Sequence, residues 1–164
     1  VVAAAASVII LLGLAVQFLI PSSYSNDKLF SMYYDSENSL HVERSGDGNL
    51  VEALRFYQQR NYANALKLFT QILEKDPMNI AIRFYSGISY IEIEEFDEAI
   101  SAFQYIINDD NNLYIEPAHW YLGLCYLKDN RTDAALKQFT KIASESTNYY
   151  QKDASRIIDQ INKE

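Results

Sequence analysis

Residues 53–69 read ALRFYQQRNYANALKLF, residues 87–103 read GISYIEIEEFDEAISAF, and residues 123–139 read GLCYLKDNRTDAALKQF. Each stretch opens on a small residue (Ala53, Gly87, Gly123) and places an aromatic three residues later (Phe56, Tyr90, Tyr126). Each ends on Ala-x3-Phe: Ala65/Phe69, Ala99/Phe103 and Ala135/Phe139. The copies are offset by 34 and then 36 residues, and in every one the leading small residue precedes the Ala by 12. Residues three and four apart share one face of a helix, so the pattern describes two helices joined by a short turn. The small residue lets the paired helices approach closely, while the aromatics fill the space alongside. A period of this length marks tandem helical hairpins, each burying its open side on the next.

In its period, its small-x-x-aromatic and Ala-x3-Phe pairs, and Pro77 at the closing position of the first unit, the sequence resembles the tetratricopeptide repeat. The resemblance covers residues 48–148 and implies an all-α superhelix of three units at about 49–79, 80–115 and 116–148. Some positions depart from the pattern. Asn49, Arg83 and His119 occupy the usual early Trp position, with aromatics one residue later at Phe84 and Trp120. Asn111 and Thr147 replace the closing Pro, and Asn108-Asp109-Asp110-Asn111-Asn112 lengthens the second connection. A stack of hairpins exposes an apolar end that needs cover. Ala154, Ile157, Ile158 and Ile161 form one stripe, with Lys152, Asp153, Arg156, Asp159 and Lys163 on other faces, so 149–163 is expected to be a capping helix. The repeat domain then runs over 49–164 with seven helices.

Outward to the N-terminus, Val1–Ile20 reads VVAAAASVIILLGLAVQFLI, and no ionisable side chain precedes Asp27. As a helix rising 1.5 Å per residue, this stretch covers about 30 Å, the hydrocarbon thickness of a bilayer. Residues 1–21 are therefore expected to form a transmembrane helix ended by Pro21; a signal peptide, with its shorter apolar core, is the rival reading. The chain opens at Val1 rather than Met, so an upstream flank is expected, and a basic one would settle the orientation. The visible flank is poor in Lys and Arg, which favours export of the C-terminal part. Residues 22–48 read as a juxtamembrane linker in which Leu29, Phe30, Tyr33 and Tyr34 make a short amphipathic turn after a Ser25/Asn26 cap.

The resemblance implies that the first helix of each unit lines a groove. Its stripe would be Leu50, Leu54 and Tyr57 in unit one, Phe84, Ile88 and Ile91 in unit two, and Trp120, Leu124 and Leu127 in unit three. Either these side chains form a protein-binding groove, or they fill space between helices. A groove of this composition takes an amphipathic or extended partner segment, or is occupied by the chain's own Leu29, Phe30, Tyr33 and Tyr34.

Composition narrows the chemistry. With 14 Lys+Arg against 22 Asp+Glu, a net charge of -8 argues against nucleic-acid binding. A single Cys with two His excludes a structural zinc site of Cys and His. His41 and His119 stand apart from any Ser, Cys or carboxylate constellation, and Cys125 sits among apolar neighbours. Asp109–Asn112 lacks the Gly and distant Glu of a calcium loop. Glu92, Glu94, Glu95, Asp97 and Glu98 read as a solvated acidic face. No catalytic residue, cofactor, metal or small-molecule substrate is expected. The reading is a non-catalytic, membrane-anchored scaffold for a protein or peptide partner, with its repeats in the periplasm of a bacterial inner membrane, for a secretion, assembly or cell-wall complex. A transmembrane regulator meeting a transcription factor, or an import-receptor-like binder of amphipathic segments, is the alternative.

Overall fold

Apolar stripes of helical period, broken by tight turns, give eight α-helices and no strand among the described residues of the computed structural model, which are 24–36, 48–109 and 112–163. They are α1 (Asn26–Tyr33), α2 (Gly48–Gln58), α3 (Tyr62–Lys75), α4 (Ile80–Glu92), α5 (Phe96–Ile107), α6 (Ile115–Lys128), α7 (Thr132–Ser144) and α8 (Gln151–Ile161). The membrane helix expected at 1–21 lies outside the described residues. Among those described, no helix is long and apolar enough to cross a membrane.

The pairs α2/α3, α4/α5 and α6/α7 form three hairpins that stack in chain order, and α8 covers the last of them. The small residues explain the closeness of each pair. A Cβ added to Gly87 would lie 2.8 Å from Cε1 and Cζ of Phe103, and one added to Gly123 would lie 2.8 Å from the same atoms of Phe139. The aromatic of the second helix thus packs on the bare backbone of the first. In the first hairpin the slot is wide enough for Ala53, which is wholly buried.

All three hairpins turn in the same way. Arg60, Glu94 and Asn130 have φ of 56°, 62° and 57°, in the left-handed region that favours glycine. The next residue closes a bond back over the turn: Asn61 N–H donates to Phe56 O at 2.8 Å, Glu95 to Tyr90 at 2.9 Å, and Arg131 to Tyr126 at 2.8 Å. This geometry satisfies helix-end carbonyls that otherwise lack a partner.

Between units, side chains organise the connections. Asn79 caps α4 by accepting from Ile82 N–H at 3.1 Å, while Arg83 donates to Pro77 O at 2.7 Å and lies 3.7 Å over the Tyr105 ring. In the longer second connection, Asn112 donates to Ile106 O and Asp109 O at 3.0 and 2.7 Å and accepts from Tyr114 N–H at 2.8 Å. Asn148 accepts from Tyr150 N–H at 2.9 Å, the same device one unit later.

An aromatic spine runs through the stack. Tyr57 meets Tyr85 at 5.3 Å, Phe84 meets Phe103 at 5.8 Å, and Phe103 meets Tyr121 at 6.3 Å. Trp120 continues it, 5.6 Å from Phe139 and stacked at 4.8 Å on Tyr150. Each such pair contributes about 0.5–1.5 kcal/mol beyond its buried area. At the far end Ala154, Ile157 and Ile161 are buried and Ile158 is half-buried, the stripe expected of a cap.

Candidate functional site

The expected turn in the connector is a two-turn helix, α1, docked on the face made by the first helices of the repeats. Ser25 starts it, its hydroxyl accepting from Lys28 N–H at 3.3 Å. Leu29 is its fully buried residue; the other seven are half-buried or exposed. Asn26 Nδ2 donates to Thr132 Oγ1 at 2.8 Å, and Asp27 pairs with Lys128 at 2.9 Å. The Lys128 ammonium also lies 5.6 Å over the Phe30 ring. Tyr33 meets Trp120 edge-on at 6.1 Å, and Tyr34 meets Tyr121 edge-on at 5.9 Å.

From Tyr34 onward the chain crosses all three units. The Tyr34 hydroxyl donates to Glu92 Oε1 at 2.9 Å on α4. The Tyr121 hydroxyl, on α6, donates to the Asp35 carbonyl, and the Tyr57 hydroxyl, on α2, donates to the Ser36 carbonyl at 3.0 Å. Each first helix therefore shares one hydrogen bond with residues 34–36, and in two of the three the helix donates to a backbone carbonyl, which every peptide carries. Burial pushes the Tyr34 phenol far up, with the Glu92 carboxylate adding to it, and burial pushes Tyr121 up as well. Both hydroxyls remain donors at neutral pH.

Of the nine residues expected to line the groove, Leu54, Tyr57, Phe84, Ile88, Ile91, Trp120, Leu124 and Leu127 are buried, and Leu50 is half-buried. Much of that stripe fills space between helices. Phe84 and Trp120 border a cavity of about 600 Å³ beside α1, whose floor is α6 at Pro117, Trp120 and Tyr121. Its walls are Met32, Tyr33 and Asp35 on one side and Tyr149, Tyr150 and Asp153 on the other. The groove stripe expected from the sequence does not include Tyr121, Glu92, Lys128, Thr132 or Tyr149. The pairing of Trp120 with a second aromatic at 121, repeating Phe84-Tyr85, was the available signal.

The residues capable of chemistry have structural roles. Cys125 is wholly buried, and burial, with Asp129 next, pushes its thiol up to about 12, so it is not a thiolate at neutral pH. The buried His119 is held from both ring nitrogens, with Nε2 2.9 Å from the Lys141 ammonium and Nδ1 against the Gln138 side-chain amide. His41 lies outside the described residues. In the acidic cluster, Glu92 holds Tyr34 and Asp97 pairs with Arg131 at 2.7 Å. Among the described residues no group of three or more His, Cys, Asp and Glu is placed to hold a metal ion.

Comparison with known proteins agrees with the repeats. Two family models match, both described as tetratricopeptide repeat, one over residues 50–112 and one over residues 118–148. No curated protein matches the chain. The two matches together span more than half of the sequence and coincide with the three stacked hairpins: the chain belongs to the tetratricopeptide-repeat family.

Proposed function

We propose that this chain is a non-catalytic, membrane-anchored adaptor whose repeats hold a partner polypeptide on the face of their first helices, on the exported side of a bacterial inner membrane. The observation that carries the reading is the seat of residues 24–36: an apolar anchor at Leu29, ring contacts at Tyr33 and Tyr34, and backbone carbonyls received by Tyr57 and Tyr121. A face that holds one short segment in this way has the chemistry to hold another. The uncharged stretch Val1–Ile20 supports the anchor, and the scarcity of Lys and Arg in the flank after it supports export. Secretion, assembly or cell-wall machinery is the setting that this arrangement fits.

The test is photo-crosslinking in native membranes from the full chain, with the crosslinker at Met32 or Tyr149 beside the cavity, or at Lys67, which is exposed on the second helix of unit one. A defined polypeptide adduct from the first two positions and not from Lys67 supports the reading. Adducts from Lys67 alone overturn it. Release of the native chain from membranes by alkaline carbonate overturns the anchor.

A further inference from the structure

α1 sits on the repeats as a ligand sits on a receptor. It is eight residues long, and helices of that length do not hold their shape alone in water. Its Phe30 and Tyr34 rings stack at 4.4 Å one turn apart, and Leu29 is the one α1 side chain that the seat wholly encloses. The seat reads the segment in two ways. Tyr57 and Tyr121, both buried, donate to the carbonyls of Ser36 and Asp35, contacts open to any extended backbone. The other contacts choose side chains. The Lys128 ammonium lies 2.9 Å from the Asp27 carboxylate and 5.6 Å over the Phe30 ring, so one cation reads an acidic residue and the aromatic three positions on. The half-buried Glu92 carboxylate accepts from the Tyr34 hydroxyl at 2.9 Å, which distinguishes a phenol from a bare ring.

We infer that α1 is a resident ligand that keeps this face closed, and that the partner displaces it with a segment of the same pattern. That pattern is an acidic residue, a Leu two positions on, an aromatic three positions on and a Tyr seven positions on, as in Asp27, Leu29, Phe30 and Tyr34. The inference rests on the adaptor reading and adds the partner's chemistry and the contact that regulates it. Residues 37–47 join Ser36 to α2, so α1 can leave while the hairpins stay stacked. Its departure frees the Leu29 socket, Lys128, Glu92 and the two tyrosine hydroxyls together, and a segment of the same pattern satisfies each of them. A basic residue in place of Asp27 meets Lys128 with like charge, and a Phe in place of Tyr34 leaves Glu92 without its donor. A seat that α1 fills about nine-tenths of the time weakens the partner about tenfold, so the contact sets a threshold below which the adaptor stays empty.

The probe is a fluorescently labelled peptide of residues 24–36, followed by anisotropy on the full chain and on full chains carrying Leu29→Ala or Asp27→Lys. Asp27 is 72% exposed, so its variant disturbs the docking of α1 without touching the core. The peptide is expected to bind the Leu29→Ala chain about tenfold or more tightly than the unaltered chain, and the Asp27→Lys chain about threefold more tightly. A peptide carrying Asp27→Lys is expected to lose about threefold on the Leu29→Ala chain and to regain it on the chain carrying Leu29→Ala and Lys128→Glu. Equal affinity for all three chains, or indifference to the charge exchange, overturns the inference. So does dimerisation of the unaltered chain through exchanged α1, which puts a second copy in the seat. In native membranes, the polypeptide adduct from a crosslinker at Tyr149 is expected to rise in yield with Asp27→Lys and to fall with excess probe peptide. An adduct that ignores both leaves the adaptor reading standing and ends this one, while the absence of any adduct ends both.

Discussion

Replacing Leu29 with Ala tests whether α1 is a docked segment or a part of the array. Leu29 is wholly buried, and truncating a buried leucine to alanine costs about 2–5 kcal/mol. The other holds on α1 are weaker: the Asp27–Lys128 pair has the Asp27 side chain 72% exposed, and such pairs contribute at most about 1 kcal/mol. Removing Leu29 therefore takes away much of what fixes α1. Eleven residues, 37–47, lie between Ser36 and α2, so α1 can leave without unstacking the hairpins. The loss is expected to appear as local opening, and 2 kcal/mol corresponds to roughly 30-fold faster hydrogen exchange. Exchange measured by mass spectrometry on the Leu29→Ala chain should show amides of Asn26–Ser36 accelerated by about that factor or more, with α4 and α5 unchanged. The Trp120 emission should shift to the red as the Tyr33 edge departs. Equal acceleration across α1 and the hairpins would refute the reasoning, because Leu29 would then belong to the cooperative core of the repeats.

Three further outcomes follow from the packing and charges. Gly87→Ala drives a Cβ to 2.8 Å from the buried Phe103 ring; overpacking costs about 1–3 kcal/mol against about 1 kcal/mol of gained helix propensity. The net expectation is a loss of about 1 kcal/mol by urea unfolding, and a gain in stability would show that the slot is looser than its geometry. Glu94→Gly relieves a left-handed residue in the turn of unit two and should stabilise by about 1 kcal/mol, read as a raised urea midpoint. Burial, with the Lys141 ammonium second, holds the His119 pKa below 6.5 in the fold. As pH falls through 6.5 the unfolded chain takes up a proton that the folded chain refuses, so stability present above 6.5 is lost until the folded pKa is passed. The urea midpoint should drop as pH falls below about 6.5, and His119→Gln should flatten that drop.

The hairpins were legible because their spacing has a local cause. Gly87 and Gly123 each face the Phe sixteen residues on, Ala53 and Phe69 are both wholly buried at the same spacing, and that pairing fixes where both helices of a unit lie. The capping stripe at Ala154, Ile157 and Ile161 was equally readable, since an amphipathic helix announces its buried side. The turns were less so: Arg60, Glu94 and Asn130 take a conformation that glycine would have signalled, and none of the three is glycine. The groove was the least legible. A stripe such as Ile88, Leu124 and Leu127 shows that one side of a helix is apolar, but neighbouring helices decide whether that side meets solvent, and here they bury it. Tyr57 and Tyr121 read as aromatic bulk, yet their hydroxyls receive the chain at Ser36 and Asp35. Such roles arise from tertiary placement, which residue spacing does not encode.

The central claim is that the face of the first helices binds polypeptide. It is tested most directly by adding a synthetic peptide of residues 24–36 in trans to the full chain carrying Leu29→Ala, while following the emission of Trp120. The account predicts a saturable return of the emission toward that of the unaltered chain, with a scrambled peptide of the same composition silent. A flat titration with the native peptide, or an equal response to the scrambled one, would contradict it.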